Sequence, residues 1–322
     1  MSSSSSVLDP RVDLGRGLVL ANPVGVASGT FGFGFEAEEM AGIGHLGVIF
    51  SKGTTAQPRE GNRPPRIAET AAGMLNSIGL QNPGVEVVAR EYAPRWANWP
   101  VPVIVNVAGA DIREYVEVVA RLDGIAGISG VELNISCPNI AHWLDFATEP
   151  GAAARCVAAV RVATTLPLLV KLSPNVTDIA EVARAVEDAG ADALSAVNTY
   201  VGMKVSLERQ RPVLPGAGLG GLSGPAVKPL ALAAVAKVRR AVAIPLIGIG
   251  GIATAADALE FMVAGADAIQ VGTANFNNPG ASREIVQGCL AYGAQHGLKR
   301  FSELRWQELD HPGAEEPAPE PD

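Results

Sequence analysis

Apolar residues along the chain fall into short runs that recur between longer, amphipathic stretches. Several runs are almost wholly apolar until their final residue, which is typical of parallel strands covered on both faces. The stretches between them, such as residues 178–190 and 226–241, carry apolar positions at helical spacing. The runs that we predict to be strands are residues 24–28, 46–52, 101–107, 130–136, 166–172, 193–199, 244–250 and 268–273.

This alternation predicts an α/β fold, a (β/α)8 TIM barrel in a single domain, over about 250 residues. An open, doubly wound sheet is the alternative, but the regular spacing and the lack of a domain break favour the barrel. The stretches "DAGADAL" (188–194) and "VAGADAI" (263–269) repeat each other, and each is predicted to end a helix and begin a strand. We assign residues 1–311 to the barrel domain and the Pro-rich, acidic residues 312–322 to a disordered tail.

The 322 residues carry a formal net charge of −8, which argues against nucleic acid or an anionic membrane as the main partner. No run of 18 apolar residues occurs, and the start "MSSSSSVLDP" lacks the apolar core of a signal peptide. The three cysteines are far apart and form no metal-binding pattern, so we expect a reducing cytoplasm and no metal site.

Polar side chains stand where the apolar runs end. In a barrel, the carboxyl ends of the strands all open on one face, and active sites lie there. Ordinary exposure of strand ends to solvent would explain one or two polar residues, but not a set that includes two lysines and three asparagines. The residues at these ends are Ser28, Lys52, Asn106, Asn134, Ser136, Lys171, Asn198 and Thr199.

Two glycine-bearing loops predict a phosphate site. "GIGGI" (248–252) follows the seventh predicted strand, and "VGTANF" (271–276) follows the eighth. These are the positions at which barrels bind phosphate through backbone N–H groups. The loops alone do not distinguish a flavin nucleotide from a sugar phosphate. The predicted contacts are Gly250, Gly251, Gly272 and Thr273.

Lys171 favours the flavin. A lysine at a buried strand end needs an anionic partner or a wet site. A reduced flavin carries negative charge around N1 and the C2 oxygen, and a lysine there would stabilise it. Ser28 and Asn106 could bond the other polar edges of the ring.

A set of motifs in fixed order carries a resemblance over about residues 7–308. The chain resembles the class 1 dihydroorotate dehydrogenases, flavin barrels that oxidise dihydroorotate to orotate in pyrimidine biosynthesis with FMN as hydride acceptor. Each motif alone is weak, and the nine together are specific. They are "ASGTFGFG" (27–34), "SKG" (51–53), "MLNSIGLQNPG" (74–84), "NISCPN" (134–139), "VKLSPN" (170–175), "VNT" (197–199), "GGLSGPAVKPLAL" (220–232), "GIGG" (248–251) and "VGT" (271–273).

Within the class, residues 27–34, 198–203 and 220–229 look like the 1B branch. Members of that branch pair with a second subunit that carries FAD and a [2Fe–2S] cluster, and they pass electrons to NAD. The resemblance therefore implies a homodimer of this chain together with such an electron-transfer subunit. The 1A branch, which uses fumarate, has a different pattern after "VN". Class 2 enzymes have an N-terminal membrane segment and a serine base, and this chain has neither.

The resemblance also assigns roles to single positions. Cys137 falls on the position of the family's catalytic base. The positions that fall on orotate-binding residues are Lys52, Asn76, Ser77, Ile78, Gly79, Leu80, Asn134, Asn198 and Thr199. The positions that fall on FMN-binding residues are Ser28, Lys52, Gly53, Asn106, Asn134, Lys171, Val197, Gly224, Gly250, Gly251, Gly272 and Thr273.

The chemistry agrees with these roles. A thiol with a pKa near 8.5 is partly ionised at neutral pH, so Cys137 can accept a proton. Asparagine amides offer both donors and acceptors, which matches a ring of alternating N–H and C=O groups. Cys156 and Cys289 lie inside helix candidates, and we interpret them as small buried hydrophobes. We interpret His45, His142, His296 and His311 as surface or structural residues, and Arg63 and Arg66 as part of a solvated loop.

Two other enzymes stay open as alternatives. A dihydropyrimidine dehydrogenase-type flavin subunit usually has histidine where this chain has Asn139. A flavin-free, phosphate-binding isomerase or lyase would need a pair of carboxylates at the strand ends, and Glu132 is the only carboxylate within the strand runs. Residues 140–150 depart from the family pattern, because they contain Trp143 and Phe146 in place of a glycine-rich loop.

Overall fold

The computed structural model describes residues 8–135 and 148–306. Cys137, residues 140–147 and the predicted tail 312–322 lie outside these ranges. The strands within them are β1 Val12–Asp13, β2 Val19–Leu20, β3 Val24–Val26, β4 Val48–Phe50, β5 Ile67–Thr70, β6 Gly73–Asn76, β7 Val103–Val107, β8 Gly130–Asn134, β9 Leu168–Lys171, β10 Ala193–Ala196, β11 Tyr200–Met203, β12 Val205–Ser206, β13 Arg211–Pro212, β14 Leu219–Ser223, β15 Leu246–Ile249 and β16 Ala268–Val271.

The helices surround the strands and vary widely in length. A π-helix covers Val88–Tyr92, and 3-10 helices cover Pro225–Val227 and Phe301–Glu303. The α-helices of the described ranges are Phe35–Ala41, Val85–Val87, Ala93–Trp96, Ile112–Leu122, Pro150–Ala163, Ile179–Asp188, Lys228–Ala241, Ala255–Val263, Ala274–Asn277 and Ala281–Gln295.

Eight parallel strands close into a barrel in the order β3, β4, β7, β8, β9, β10, β15 and β16. Each of them lies within one predicted apolar run, so the prediction of a (β/α)8 barrel is confirmed. The strands are shorter than the runs: β10 ends at Ala196, for example, so Asn198 and Thr199 follow it in the loop. The polar ends of the runs therefore lie in or beside the loops at the open face of the barrel.

The amino-terminal end of the barrel is closed by a hairpin. Strands β1 and β2 pair antiparallel, and Leu14, Leu18 and Leu20 of this hairpin are buried. They share a hydrophobic cluster with side chains from the lower parts of the barrel strands. The barrel members of this cluster are Val48, Phe50, Ile104, Leu169, Ala193, Ile247 and Ala268. The apolar plug leaves the carboxyl end as the accessible one.

A second sheet, which the apolar pattern does not predict, borders the open end. It is antiparallel, with strand order β11, β14, β6, β5, and it is built from segments that follow β4 and β10 of the barrel. Asn76 on β6 pairs in register with Gly221 on β14. The "MLNSIGL" and "GGLSG" motifs thereby come to the same place although they are far apart in the chain.

The repeated sequences 188–194 and 263–269 form the same structure twice. Gly190 and Gly265 end their helices with φ of +101° and +116°, a conformation that glycine adopts without strain. Asp192 then accepts hydrogen bonds from the backbone N–H of Leu168 and from Arg161. In the second copy, Asp267 accepts from the backbone N–H of Leu246 and from Arg239. Each copy ends a helix and begins a strand, as the repeat predicts, and its aspartate also ties that strand to the neighbouring one.

Candidate active site

One cavity at the carboxyl end of the barrel brings together nearly all the residues that the sequence predicts for the site. Within the described ranges, Ser77 alone of that set does not line it, and Cys137 lies outside those ranges. The predicted residues that line the cavity are Ser28, Lys52, Gly53, Asn76, Ile78, Gly79, Leu80, Asn106, Asn134, Lys171, Val197, Asn198, Thr199, Gly224, Gly250, Gly251, Gly272 and Thr273.

A buried carboxylate lies beneath this cavity, in the interior of the barrel. Glu132 on β8 is 0% exposed, and its oxygens accept hydrogen bonds from side chains on three other barrel strands. Ser195 on β10 donates from Oγ to Oε1 at 2.6 Å, and Gln270 on β16 donates from Nε2 to the same oxygen at 3.0 Å. Asn106 on β7 donates from Nδ2 to Oε2 at 2.6 Å. Burying a charge is costly, and these donors offset part of that cost.

The bond to Glu132 fixes the direction of the Asn106 amide. A carboxylate only accepts hydrogen bonds, so the NH2 group of Asn106 must face it. Its carbonyl oxygen, Oδ1, is buried and accepts no hydrogen bond from the described residues. Because Asn106 lines the cavity, this oxygen is available to a ligand that carries an N–H donor.

Lys171 ends β9 inside the cavity. Its side chain is 6% exposed, and it pairs in register with Asn134 on β8 and with Ser195 on β10. Burial lowers the pKa of Lys171, and the nearby charge of Glu132 opposes that shift. The cavity wall therefore carries an ammonium group in a largely dry environment, where an anionic ligand is favoured.

A second lysine stands at the other side of the cavity. Burial lowers the pKa of Lys52, and the charge of Arg66 lowers it further, whereas Glu36 raises it. The backbone N–H of Lys52 donates to the carbonyl of Gly32 at 2.9 Å, which ties the lysine to the "ASGTFGFG" loop. The net effect of Arg66 and Lys52 is a positive potential that attracts a carboxylate.

Three asparagine amides are held in fixed directions at the cavity. Asn198 donates from Nδ2 to Asn134 Oδ1 at 3.1 Å, and its own Oδ1 accepts from the backbone N–H of Thr199 at 2.8 Å. Asn76 donates from Nδ2 to the carbonyl of Gly221 at 3.1 Å. The backbone carbonyl of Asn134 accepts a hydrogen bond from the Tyr115 hydroxyl at 2.7 Å. A planar ligand with alternating donors and acceptors meets amides that need little reorientation.

The loop of residues 77–80 is supported from behind by a second layer of polar groups. The backbone N–H of Asn62 donates to the carbonyl of Ile78 at 2.9 Å. Arg66 donates to the carbonyls of Asn62 and Glu60 and to the side chain of Gln81. Arg66 lies in a partly exposed loop, as predicted, and its hydrogen bonds also support the cavity wall from behind.

The phosphate cradle is formed where three loops meet. Gly224 follows β14, Gly250 and Gly251 follow β15, and Gly272 and Thr273 follow β16. A Cβ atom at Gly251, which has φ of +75°, would lie 2.8 Å from the Gly224 carbonyl oxygen and 2.9 Å from the Lys228 nitrogen. Backbone therefore approaches backbone here as closely as only glycine permits. The 14-residue helix that begins at Lys228 adds the positive end of its dipole nearby.

These features fit FMN. The glycine cradle and the helix start suit its phosphate group, and the buried ammonium of Lys171 suits the electron-rich edge of its ring. The unpaired Oδ1 of Asn106 suits the ring N–H. The donors and acceptors of the cavity thus match a nucleotide with an anionic tail and a polar, planar ring.

The remaining chemistry-bearing residues are structural in this fold. Cys156 and Cys289 are 0% and 1% exposed, and burial raises the pKa of each thiol to about 12, as expected for small hydrophobes. His45 shares a 3.0 Å hydrogen bond between Nε2 and Ser282 Oγ, away from the cavity. In residues 8–135 and 148–306, no His, Cys, Asp and Glu side chains cluster in a way that could hold a metal ion.

No helix in the described ranges is both long enough and apolar enough to cross a membrane.

Several residues of the cavity were not predicted from the sequence. Ser223 lines the cavity and accepts a hydrogen bond from Thr273 at 2.7 Å between the hydroxyl oxygens. Ile249 and Phe276 also line it. Glu132 could have been found, because it shares the inward face of β8 with Asn134, two residues later. The sheet residue Leu222 carried no such signal, since neither strand β6 nor strand β14 follows from the apolar pattern.

A phosphate cradle and a polar cavity at the carboxyl end of a parallel barrel define a TIM-barrel enzyme of the phosphate-binding kind. Comparison with known proteins narrows this class. The family model described as "Dihydroorotate dehydrogenase" matches residues 15–291. The chain therefore belongs to the dihydroorotate dehydrogenase family, as the motifs predict.

Relatives in several bacteria are about half identical to this chain. A protein of Geobacter sp. (strain M21) is 51% identical over 289 residues, which are 89% of this chain and 94% of the relative. A protein of Desulforamulus reducens is 51% identical over 298 residues, 92% of this chain and 97% of the relative. A protein of Geobacter sulfurreducens is 52% identical over 289 residues, 89% and 94% of the two chains. Each relative is named "Dihydroorotate dehydrogenase B (NAD(+)), catalytic subunit".

Proposed function

We propose that this chain oxidises dihydroorotate to orotate in de novo pyrimidine biosynthesis, with FMN as the immediate hydride acceptor. The observation that carries the proposal is one cavity that joins a phosphate cradle, a buried lysine and a group of oriented amides. Membership of the dihydroorotate dehydrogenase family supports it, as do the names of the bacterial relatives. A flavin-free isomerase would need a pair of carboxylates at the strand ends, and the described residues that line the cavity include no Asp or Glu.

The residues divide the cavity between cofactor and substrate. Gly224, Gly250, Gly251, Gly272 and Thr273 would hold the FMN phosphate through backbone and hydroxyl donors. Ser28, Gly53, Asn106, Asn134, Lys171 and Val197 would surround the ring. When bound, FMN supplies an acceptor for the hydride that leaves C6 of dihydroorotate. Lys171 neutralises the negative charge that the ring gains.

The substrate side has a matching set of groups. Lys52, with the field of Arg66 behind it, attracts the carboxylate of dihydroorotate, and the loop of residues 77–80 offers backbone donors to the same group. The amides of Asn76, Asn134 and Asn198 align with the ring N–H and C=O groups. This arrangement holds the ring in one orientation, which is the main contribution that positioning makes to such a reaction.

Cys137 is the proposed base. It falls on the family's base position, within the "NISCPN" motif, two residues after the last described residue of that segment. Its thiolate would take the proton from C5 of dihydroorotate while the hydride leaves C6. Asn134, which ends β8 three residues before Cys137 in the sequence, lines the cavity.

The purified chain should be yellow and carry about one FMN per chain, because the phosphate cradle and Lys171 make up a complete site. Absorbance and the flavin released on heating measure this ratio. A colourless chain that cannot be loaded with FMN would contradict the flavin site. The loaded chain should bleach anaerobically with dihydroorotate but not with dihydrouracil. Bleaching by dihydrouracil would instead support a dihydropyrimidine dehydrogenase activity.

We also propose that the chain works as a cytoplasmic homodimer with a separate subunit that carries FAD and a [2Fe–2S] cluster and passes electrons to NAD. The names of the relatives include NAD and call each protein a catalytic subunit. This chain has no cysteine cluster for an iron–sulfur centre and no GxGxxG after a strand run for a second nucleotide.

The chain alone should therefore reduce its bound flavin with dihydroorotate but reduce NAD very slowly. Following NADH absorbance with the isolated chain, and again after adding the electron-transfer subunit of a relative, separates the two steps. Ferricyanide serves as the control acceptor, because it takes electrons from an exposed flavin without a partner. Rapid NAD reduction by the isolated chain would contradict the need for a second subunit.

A further inference from the structure

We propose that Glu132 is a positioning residue for the redox site, whose buried carboxylate holds Lys171 in its charged form beneath the flavin. This inference rests on the proposed FMN site. It goes beyond that site because Glu132 does not line the cavity. Its role would be exerted entirely through Lys171.

Geometry places Glu132 and Lys171 in the same part of the barrel interior. Lys171 is the register partner of Ser195 on β10, and the Ser195 hydroxyl donates to Glu132 Oε1 at 2.6 Å. On the other side, Lys171 is the register partner of Asn134, which stands two residues after Glu132 on the same face of β8. Glu132 and Lys171 thus lie on adjacent barrel strands, and the Ser195 hydroxyl that binds Glu132 comes from the next strand beyond Lys171.

The carboxylate is fixed from three directions. Asn106, Ser195 and Gln270 donate to it from β7, β10 and β16, so its charge cannot rotate away from the interior. Glu132, Asn106, Ser195 and Gln270 are each 0% exposed, so bulk solvent does not reach this arrangement. Electrostatic interactions between Glu132 and Lys171 are therefore screened far less than at a surface.

Glu132 is the acidic member of the set of groups around Lys171. Burial alone would drive the ammonium toward its neutral form, and the Glu132 charge works against that tendency. Lys52 adds a second positive charge at the cavity and so increases the need for a counter-charge. The register partners of Lys171 on the two neighbouring strands are Asn134 on β8 and Ser195 on β10. Glu132 is held in turn by Asn106, Ser195 and Gln270, and Lys52 lines the same cavity as Lys171.

The proton balance of flavin reduction gives a direct test. Two-electron reduction of FMN to its anionic form takes up one proton if Lys171 is already charged. If Lys171 is neutral beforehand, reduction draws a second proton onto its amine, because the ring then carries negative charge. The slope of midpoint potential against pH counts these protons. The potential is measured by dithionite titration beside a redox dye of known potential.

In Glu132→Gln, Lys171 loses its counter-charge, so uptake of the second proton should begin at a lower pH than in the wild type, by at least about one unit. The midpoint potential of both proteins is measured from about pH 7 to 10. Ser195→Ala is the matched control, since it removes a hydrogen bond to the carboxylate but keeps the charge. That variant should follow the wild-type slope. A Glu132→Gln protein whose slope matches the wild type over the whole range would overturn the proposal, whatever its stability.

Thermal unfolding of flavin-free protein provides a test that needs no FMN. In Lys171→Met, the Glu132 carboxylate stays buried without its counter-charge. Adding Glu132→Gln to this variant should therefore lower the Tm less than the same substitution lowers it in the wild type, or should raise it. Additive changes in Tm would overturn the proposal. Failure of the wild type to bind FMN would contradict the proposed function instead, and this cycle would then decide the role of Glu132 by itself.

Discussion

Replacing Cys137 by serine should slow the reduction of bound FMN by dihydroorotate about 100-fold or more, the usual range for the loss of a general base. Serine is close to cysteine in size, so binding of FMN and orotate should change little. Its hydroxyl is a far weaker acid than a thiol, and almost none is ionised at neutral pH. Stopped-flow measurement of flavin bleaching gives the rate, and orotate titration of the flavin spectrum gives the binding control.

The pH dependence distinguishes a base from a packing residue. The active form is the thiolate, so the wild-type rate should rise with pH as a thiol with an ordinary pKa near 8.5 ionises. The serine variant should show no such rise below about pH 9. Cys156→Ser is a matched control, because Cys156 lies in the helix Pro150–Ala163, is 0% exposed and does not line the cavity. A Cys137→Ser enzyme with the wild-type rate and pH profile would show that another group takes the proton.

The barrel could be predicted because its cause is local. Each barrel strand is an apolar run that must be buried on both faces. An apolar run in the sequence therefore marks the position of a barrel strand directly. The run "LPLLVKL" (166–172) became β9, with Lys171 at the cavity, as its single polar residue predicts. The phosphate loops could be predicted for a similar reason, because glycine is required where backbone approaches backbone.

The rest of the site depends on contacts between distant segments. The sheet of β5, β6, β11 and β14 pairs residues such as Met74 and Ser223, whose separation in sequence hides the pairing. Its strands are short and half exposed, so they lack the apolar signature of the barrel strands. Arg66 could not be assigned either, since its role follows from carbonyl groups that only the folded loop presents to it.

Gly251→Ala should weaken FMN binding on the order of 100-fold, because one or two charge-assisted hydrogen bonds to the phosphate are worth about 1.5–3 kcal/mol each. The added Cβ atom would lie 2.8 Å from the Gly224 carbonyl oxygen and 2.9 Å from the Lys228 nitrogen. Both contacts are with backbone, which cannot turn aside as a flexible side chain does. The cradle loops would have to separate, and their N–H groups would no longer converge on one anion.

The matched control is Gly17→Ala. Gly17 has φ of +79°, close to the +75° of Gly251, but a Cβ atom there meets nothing within 4 Å. Both variants carry the cost of about 1 kcal/mol for an L-residue in this left-handed conformation, so both should lose some thermal stability. Only Gly251→Ala should lose FMN affinity, measured by fluorescence as flavin is titrated into flavin-free protein. Equal affinity in the two variants would show that the loop after β15 does not hold the phosphate.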